Sequence, residues 1–391
     1  MKISEIIIAS AESLMATQRL DGSFAPGHNG PYYDDELALR NTCHILILLL
    51  KAGELSGDSA FRSAALKALD YIAAGERRPM GATFWVRRNP EKDFSNGLIG
   101  QAWVIEALAY AAQNLGDDRL NALAEEVFML HPFDEGTGRW QVVNVDGSCD
   151  PVDMTFNHQL WFAAAGGLLQ GNEPVRAQVR QFLDKLGTNL EIYDNGLIRH
   201  AIASQVHRQP ALKTRLKRWI KTSLLRTEKA ATSDEVINKA IGYHAFNTYA
   251  FSLLYQQLKD HVFWKSETFS RILKFPLTDL YRDGVDHFVP DALGKGKVLP
   301  FNRFAYPYNP PGIELAFTVQ TFSEHYGDGY KDLIQVWLDR QMERTFDADS
   351  GLMNRQTDDG TTLAARLYEA VRLADYEVRQ EPGIQHGQDY K

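Results

Sequence analysis

The sequence predicts an all-α fold: a single-domain (α/α)6 toroid in which six helical hairpins form an outer and an inner ring. Three observations carry this. Six glycine-containing turns recur along the chain, a segment that is apolar nearly all round follows each of them, and the partner segments are apolar on one stripe only.

The turns are Asp21-Gly22-Ser23-Phe24, Gly81-Ala82-Thr83-Phe84-Trp85, Gly136-Thr137-Gly138-Arg139-Trp140, Asp194-Asn195-Gly196-Leu197-Ile198, Asp283-Gly284-Val285-Asp286-His287-Phe288 and Asp349-Ser350-Gly351-Leu352-Met353. Glycine lets the chain leave a helix through positive φ at little steric cost. The apolar segments open near Asp35, Asn96, Asp153, Ile241, Pro311 and Thr361. Apolar on every side, they read as buried inner helices. Residues 61–74 (FRSAALKALDYIAA), 119–129 and 174–186 show one apolar stripe and one charged face, the pattern of an outer layer. The toroid is expected to span residues 1–380, with 381–391 a polar tail. In the longest gap between inner helices lies a basic segment, 213–229 (KTRLKRWIKTSLLRTEK). It reads as a solvated amphipathic outer helix, with a docking patch for an anionic partner as the alternative.

Bulk properties narrow the function. A net charge of −8 argues against nucleic acid as the partner. The N-terminal apolar run is interrupted by Glu5 and makes a poor signal peptide, and the run 45–50 is far shorter than the roughly 20 residues a membrane span needs. Two cysteines, Cys43 and Cys149, make neither a disulfide framework nor a CxxC metal site. The expectation is a cytoplasmic protein without membrane insertion. No phosphate-binding loop, dinucleotide fingerprint or G-x-S-x-G elbow occurs, and the scattered His and Asp residues lack tight metal-ligand spacing. Neither a cofactor nor a metal is expected.

With six hairpins placed, the segments Asn96-Gly97-Leu98-Ile99-Gly100-Gln101-Ala102-Trp103 and Asp153-Met154-Thr155-Phe156-Asn157-His158-Gln159-Leu160-Trp161 give the chain its resemblance to the six-hairpin glycosidase-like superfamily. That group includes unsaturated glucuronyl and rhamnogalacturonyl hydrolases and N-acylglucosamine 2-epimerases. The resemblance covers most of the chain, lies in architecture and short segments, and matches no full catalytic signature of one family. A second resemblance, of residues 14–24 to the Gln-to-aromatic turn repeat of terpene cyclases, is weaker: Pro31-Tyr32-Tyr33-Asp34-Asp35-Glu36 departs from the acidic motif of those enzymes, and the later turns do not keep the Gln.

In such a toroid the inner helices begin at one concave mouth, under the positive ends of their dipoles, and a ligand is expected there. Asp34, Asp35 and Glu36 open the first inner helix; either they cap it or one carboxylate is an acid or base, with Asp35 preferred. Asn96, Gln101 and Trp103 mark the second, where Trp103 is either core or a flat platform for a sugar ring. The third is the most polar: Asp153, Asn157 and Trp161 recur every four residues and share a face, with His158 beside them. A buried polar group left unsatisfied costs roughly 1–3 kcal/mol, so these need either a network or a polar ligand. His244 and Asn247 mark the fourth inner helix, Tyr308 and Glu314 the fifth. Arg366 in the sixth either pairs with Glu369 three residues on or holds a substrate carboxylate.

The leading expectation is a glycoside hydrolase acting on an oligosaccharide, one that could carry a uronic acid. Asp35 and Asp153 would be the acid/base pair and His158 would assist; Trp103, Trp161 and Tyr308 would be platforms; Asn96, Gln101, Asn157, His244, Asn247, Glu314 and Arg366 would read the sugar. The alternatives are an epimerase using His158 and His244, as the second branch of the resemblance implies, and a glycan-binding protein of polysaccharide assembly that turns nothing over.

Overall fold

A computed structural model describes residues 1–169, 171–202, 233–291 and 293–379. The basic segment 213–229 and the tail 381–391 lie outside the described residues. The inner helices are Leu39–Ser56, Gly97–Leu115, Phe156–Gly167, Ser233–Gln257, Pro311–Thr321 and Gly360–Ala365, the last continuing as 3₁₀ turns over Arg366–Arg372. Each packs on the next, and the sixth packs on the first, which closes the ring. Outside lie Ile3–Met15, Ser59–Ala73, Asp118–Leu130, Glu173–Asp184, the pair Glu267–Lys274 and Asp279–Asp286, and Tyr330–Thr345. This is the single-domain α/α toroid.

The two rings follow from the sequence pattern. Leu39–Ser56 is buried continuously from Leu39 to Leu50, because neighbours cover it on every side. The outer helix Ile3–Met15 buries Ile3, Ile6, Ile7, Ala11 and Leu14, a single stripe at helical spacing. The first and sixth hairpins are also stitched together by backbone: Ile3 N–H donates to the Tyr376 carbonyl at 2.9 Å, and Lys2 bridges Glu377.

Two departures from the expected bounds have local causes. Residues 35–37 do not open the first inner helix; they run extended beside 86–88, with Leu37 N–H on the Val86 carbonyl and Arg88 N–H on the Asp35 carbonyl. The fourth inner helix begins eight residues before the expected Ile241, at Ser233, with Asp234 and Glu235 in its first turn, where acidic groups suit the dipole. Its opening turns are polar and escape a search for apolar runs. Small antiparallel ladders also flank two of the turns: β1 (Phe133–Asp134), β2 (Arg139–Val143) and β3 (Cys149–Val152) around Gly138, and a two-residue pair around Gly351.

Several polar groups of the inner helices serve the turns. Gln101 accepts the Phe84 N–H at 2.8 Å and donates to the Phe84 and Ser95 carbonyls. Gln159 repeats the arrangement one hairpin on, accepting the Trp140 N–H at 3.0 Å and donating to the Trp140 and Asp153 carbonyls. Thr42 accepts the Phe24 N–H, and His244 Nδ1 accepts that of Ile198 at 3.4 Å. In four hairpins an N–H at or next to the end of the turn is thus held by a side chain of the following inner helix. These turns enter the core, where a backbone N–H without a partner would be costly.

Candidate active site

A cavity of about 220 Å³ opens where the second and third inner helices begin, against residues 239–246 of the fourth. The second helix and the loop before it supply Arg87, Lys92, Asn96 and Trp103, the third supplies Asn157 and His158, and the fourth Lys239, Tyr243 and Phe246. The loop before the first inner helix adds Asn29, Tyr32 and Asp34; His200 and Tyr308 complete the wall.

Two Asn-Gly pairs shape this wall. Asn29 and Gly30 have φ of 60° and 51°, Asn96 and Gly97 of 56° and 57°, so both pairs occupy the left-handed region that Asn and Gly tolerate best. A Cβ on Gly97 would lie 2.8 Å from Asp153 Oδ2, and one on Gly30 would lie 2.2 Å from the Tyr308 ring. Only glycine lets the backbone come that close.

The chemistry centres on His158. Its Nδ1 lies 2.7 Å from Asp153 Oδ2, and Asp153 also accepts the Thr155 N–H at 3.0 Å. Burial pushes the Asp153 carboxyl up, but the His158 charge and these hydrogen bonds outweigh it and bring the carboxyl down to about 2. Asp153 is therefore an ionised acceptor that fixes the Nδ1–H tautomer of His158 and leaves Nε2 without a hydrogen-bond partner among the described residues. His200 lines the same cavity, its ring 4.9 Å from that of Tyr243. Burial first, then the Lys239 charge, drive His200 well below the ordinary histidine range, so it is neutral. Tyr32 and Tyr243 share a hydroxyl–hydroxyl bond of 2.7 Å on the cavity wall.

Asp34 is the cavity's own carboxylate. It receives Lys92 at 2.7 Å, Asn29 at 3.1 Å and Asn89 at 3.2 Å, with Arg87 at 3.4 Å. Burial alone would raise it; the bonds from Lys92 and Asn29, and the charges of Lys92 and Arg87, hold it below the usual carboxylate range. Beneath lies Arg40, bonded to Asn29 at 2.8 Å and stacked 4.1 Å from the Trp103 ring centre. Glu36 pairs with Arg40 at 3.5 Å, and burial pushes its carboxyl up to about 7.

Of the residues singled out from sequence, Asn96, Trp103, Asn157, His158 and Tyr308 line the cavity, and Asp153 stands directly behind His158. Seven do not line it. Asp35 is exposed on the extended segment, and its neighbour Asp34 faces the cavity instead. Gln101 and His244 brace turns; burial takes His244 down to about 4, and its Nε2 lies 3.1 Å from the Ile272 carbonyl. Trp161 is core, stacked on Phe246 at 4.4 Å, and Asn247 is buried off the wall. Arg366 bonds Glu314 at 2.7 Å, Glu369 at 2.6 Å and Asn309 at 3.0 Å, so Arg366 and Glu314 are paired with each other in the interior. One face of Trp103 is already taken by Arg40. Sequence reasoning missed His200, Lys239 and the loop carrying Asn29. For that loop a signal existed: Asn-Gly at 29–30 and again at 96–97 marks backbone with positive φ.

Among the described residues no cluster of His, Cys, Asp and Glu could hold a metal ion, and no helix is long and apolar enough to cross a membrane.

A glycosylation protein of the archaeon Haloferax volcanii, archaeal glycosylation protein Q, is 41% identical over 392 residues, covering 96% of this chain and 98% of its own. The chain belongs to the archaeal glycosylation protein Q family. No protein-family model matches it. Among solved structures, a sugar epimerase from a ruminal bacterium superposes with a TM-score of 0.62 at 14% identity, covering 95% of this chain and 97% of that one. An unsaturated glucuronyl hydrolase specific for heparin gives 0.58 at 12%, covering 95% of each. At such identities the likeness is one of fold: this chain shares the six-hairpin toroid with them.

Proposed function

We propose that this member of the glycosylation protein Q family is a sugar-processing enzyme whose working base is His158, and that it moves a proton at the carbon beside a sugar carbonyl, as an epimerase or isomerase does. The observation that carries this is the 2.7 Å bond from Asp153 to a histidine on the cavity wall. With Nδ1–H held by Asp153, the unprotonated ring presents the lone pair of Nε2 as a base. In the open-chain sugar, Nε2 would take the proton from C2 as the electron pair shifts onto the carbonyl oxygen, leaving an enediolate. Return of the proton to the other face of C2, after rotation about the C2–C3 bond, inverts C2; return to C1, with the O2 proton passing to O1, isomerises the sugar. His200, neutral and on the same wall, can donate its ring N–H to the enediolate oxygen. The expected partner His244 is engaged in the core. Membership of a family named for glycosylation supports a sugar substrate.

Carboxylate-driven hydrolysis is less well supported. A glycosidase needs one carboxylic acid with a raised pKa at the scissile bond. The carboxyls facing or backing the cavity, Asp34 and Asp153, are both held low, whereas Glu36 and Glu369, each raised to about 7, are not on the wall. One observation keeps hydrolysis as the second reading: Asp34 does line the cavity as an ionised carboxylate. With Arg366 committed to Glu314 and Glu369, a uronic-acid carboxylate would be met by Lys92 and Lys239.

The test is incubation with a panel of neutral and uronic reducing sugars in D2O, followed by proton NMR and mass spectrometry. Deuterium entering at C2, lost in His158→Gln, supports proton transfer. New reducing ends without C2 exchange, abolished by Asp34→Asn, support hydrolysis and overturn the first reading.

A further inference from the structure

Beside the cavity, the Gly27-His28-Asn29-Gly30 loop is joined to the loop that opens the sixth inner helix. His28 Nδ1 lies 2.9 Å from the Gly30 carbonyl oxygen, and Nε2 lies 2.9 Å from that of Asp358. A carbonyl oxygen only accepts, so both ring nitrogens must donate, and the ring that satisfies both is the imidazolium. Asp359 completes the joint: its Oδ2 accepts the backbone N–H of His28 at 3.0 Å and of Gly30 at 2.8 Å, and lies 3.7 Å from His28 Nδ1. Close approach is built in, since a Cβ on Gly27 would lie 1.8 Å from Thr362 Oγ1.

The joint leads straight into the cavity wall. The His28 carbonyl accepts the Asp34 N–H at 2.8 Å. Asn29, the next residue, accepts from Arg40 and Tyr308 and donates to Asp34. We propose that doubly protonated His28 is a clasp between the first and sixth hairpins, and that Asn29 and Asp34 keep their places on the cavity wall only while it is closed, so the site responds to pH. This bears on function through the reading that the cavity is the working site, but the clasp itself is tested without substrate, so either can fail alone.

The charged and titratable groups facing His28 favour the closed state near neutrality. Tyr33 stacks on its ring at 4.8 Å, donates its hydroxyl to Asp358 and receives Arg303, which is itself paired with Asp291 at 2.7 Å. Burial disfavours the charge, but Asp359 and the two carbonyls outweigh it and raise His28 above the ordinary histidine value. A folded-state pKa raised in this way gives a contribution that is complete below the unfolded value, near 6.5, and lost as pH climbs through the folded one. His28 is half-buried, so its proton can exchange with solvent.

The experiment is hydrogen exchange read by mass spectrometry on residues 26–34 and 357–363, for wild type and His28→Gln at about pH 6 and about pH 8.5, each compared at the same pH, together with nitrogen-15 NMR of the histidine rings. At the lower pH the wild-type segments should exchange more slowly than the variant's, by about tenfold for each pKa unit by which folding raises His28, and at the higher pH the two should converge. Residues 97–115 should not differ. A wild-type advantage that is equal at both pH values overturns the proposal. So does a His28 ring carrying a single proton at the lower pH. That ring signal is read on the wild type, so the test holds even where the variant misfolds.

Discussion

Asp34 and Asp35 are adjacent in sequence and opposite in environment. Extended backbone sends successive side chains to opposite faces, so one neighbour reaches the cavity and the other faces solvent. Asp35→Asn is expected to change stability by no more than about 0.5 kcal/mol and to leave turnover intact. Asp34→Asn removes the charge that faces Lys92 and Arg87 and turns one of its two acceptor oxygens into a donor, and should cost about 1–3 kcal/mol in urea unfolding. Asp153 offers a sharper test. Its pKa of about 2 lies below the unfolded value, so its contribution is present above about pH 4 and is lost as pH falls toward 2. Asp153→Asn should therefore cost about 2 kcal/mol at neutral pH, and lower turnover by roughly 10²–10⁴, because His158 loses the group that fixes its tautomer. A variant as stable and as active as wild type would remove the dyad from the mechanism.

At the scale of elements, the recurring device is the side chain that holds the preceding turn. Density of polar groups in a buried helix is legible in sequence, but whether those groups look toward a ligand or toward their own turn is not. Gln101 and Gln159 each accept from and donate to a residue 17 or 19 positions upstream, a match of spacing that shows up only when the hairpin has closed. Gln159→Ala should lower stability by about 2–3 kcal/mol, seen as a lower urea midpoint with an unchanged slope, since it strands the Trp140 N–H and carbonyl. His244 works in the same way and must stay neutral to accept. With its folded pKa near 4, the unfolded chain takes up the proton first as pH falls from about 6.5, and stability is lost across that window, by roughly 3 kcal/mol. In His244→Gln that component of the acid slope should vanish.

Across the whole molecule, closure of the ring buries charge at its centre. Arg366 lies between Glu314 and Glu369, all three fully enclosed. Burial pushes both carboxyls up, Glu369 to about 7, with added repulsion from Glu369 on Glu314 and from Glu106 on Glu369, while the shared guanidinium pulls them back. Such a cluster is weak evidence for stability but costly to break. Arg366→Met should lose about 3–5 kcal/mol, and because the stranded carboxyls then hold protons more tightly, the deficit should widen between about pH 5 and pH 8 in denaturant titrations. A deficit independent of pH would mean that the cluster is not electrostatically coupled.

The sequence by itself determined the number of hairpins, the sorting into outer and inner rings, and the mouth at which polar groups gather, because helical periodicity and turn glycines are local properties. It also marked His158 and Asp153, five residues apart, whose meeting needs only one turn and the start of one helix. What only the tertiary structure decided is the partner of each remaining polar group. Arg366 found Glu314 from the preceding hairpin as well as Glu369, His244 found the Ile198 turn, and His200, Lys239 and Asn29 reached one cavity from distant parts of the chain. A buried polar group must be satisfied, but many partners satisfy it equally well. Which one does so is settled when the sixth hairpin closes on the first and the helix faces take their final register.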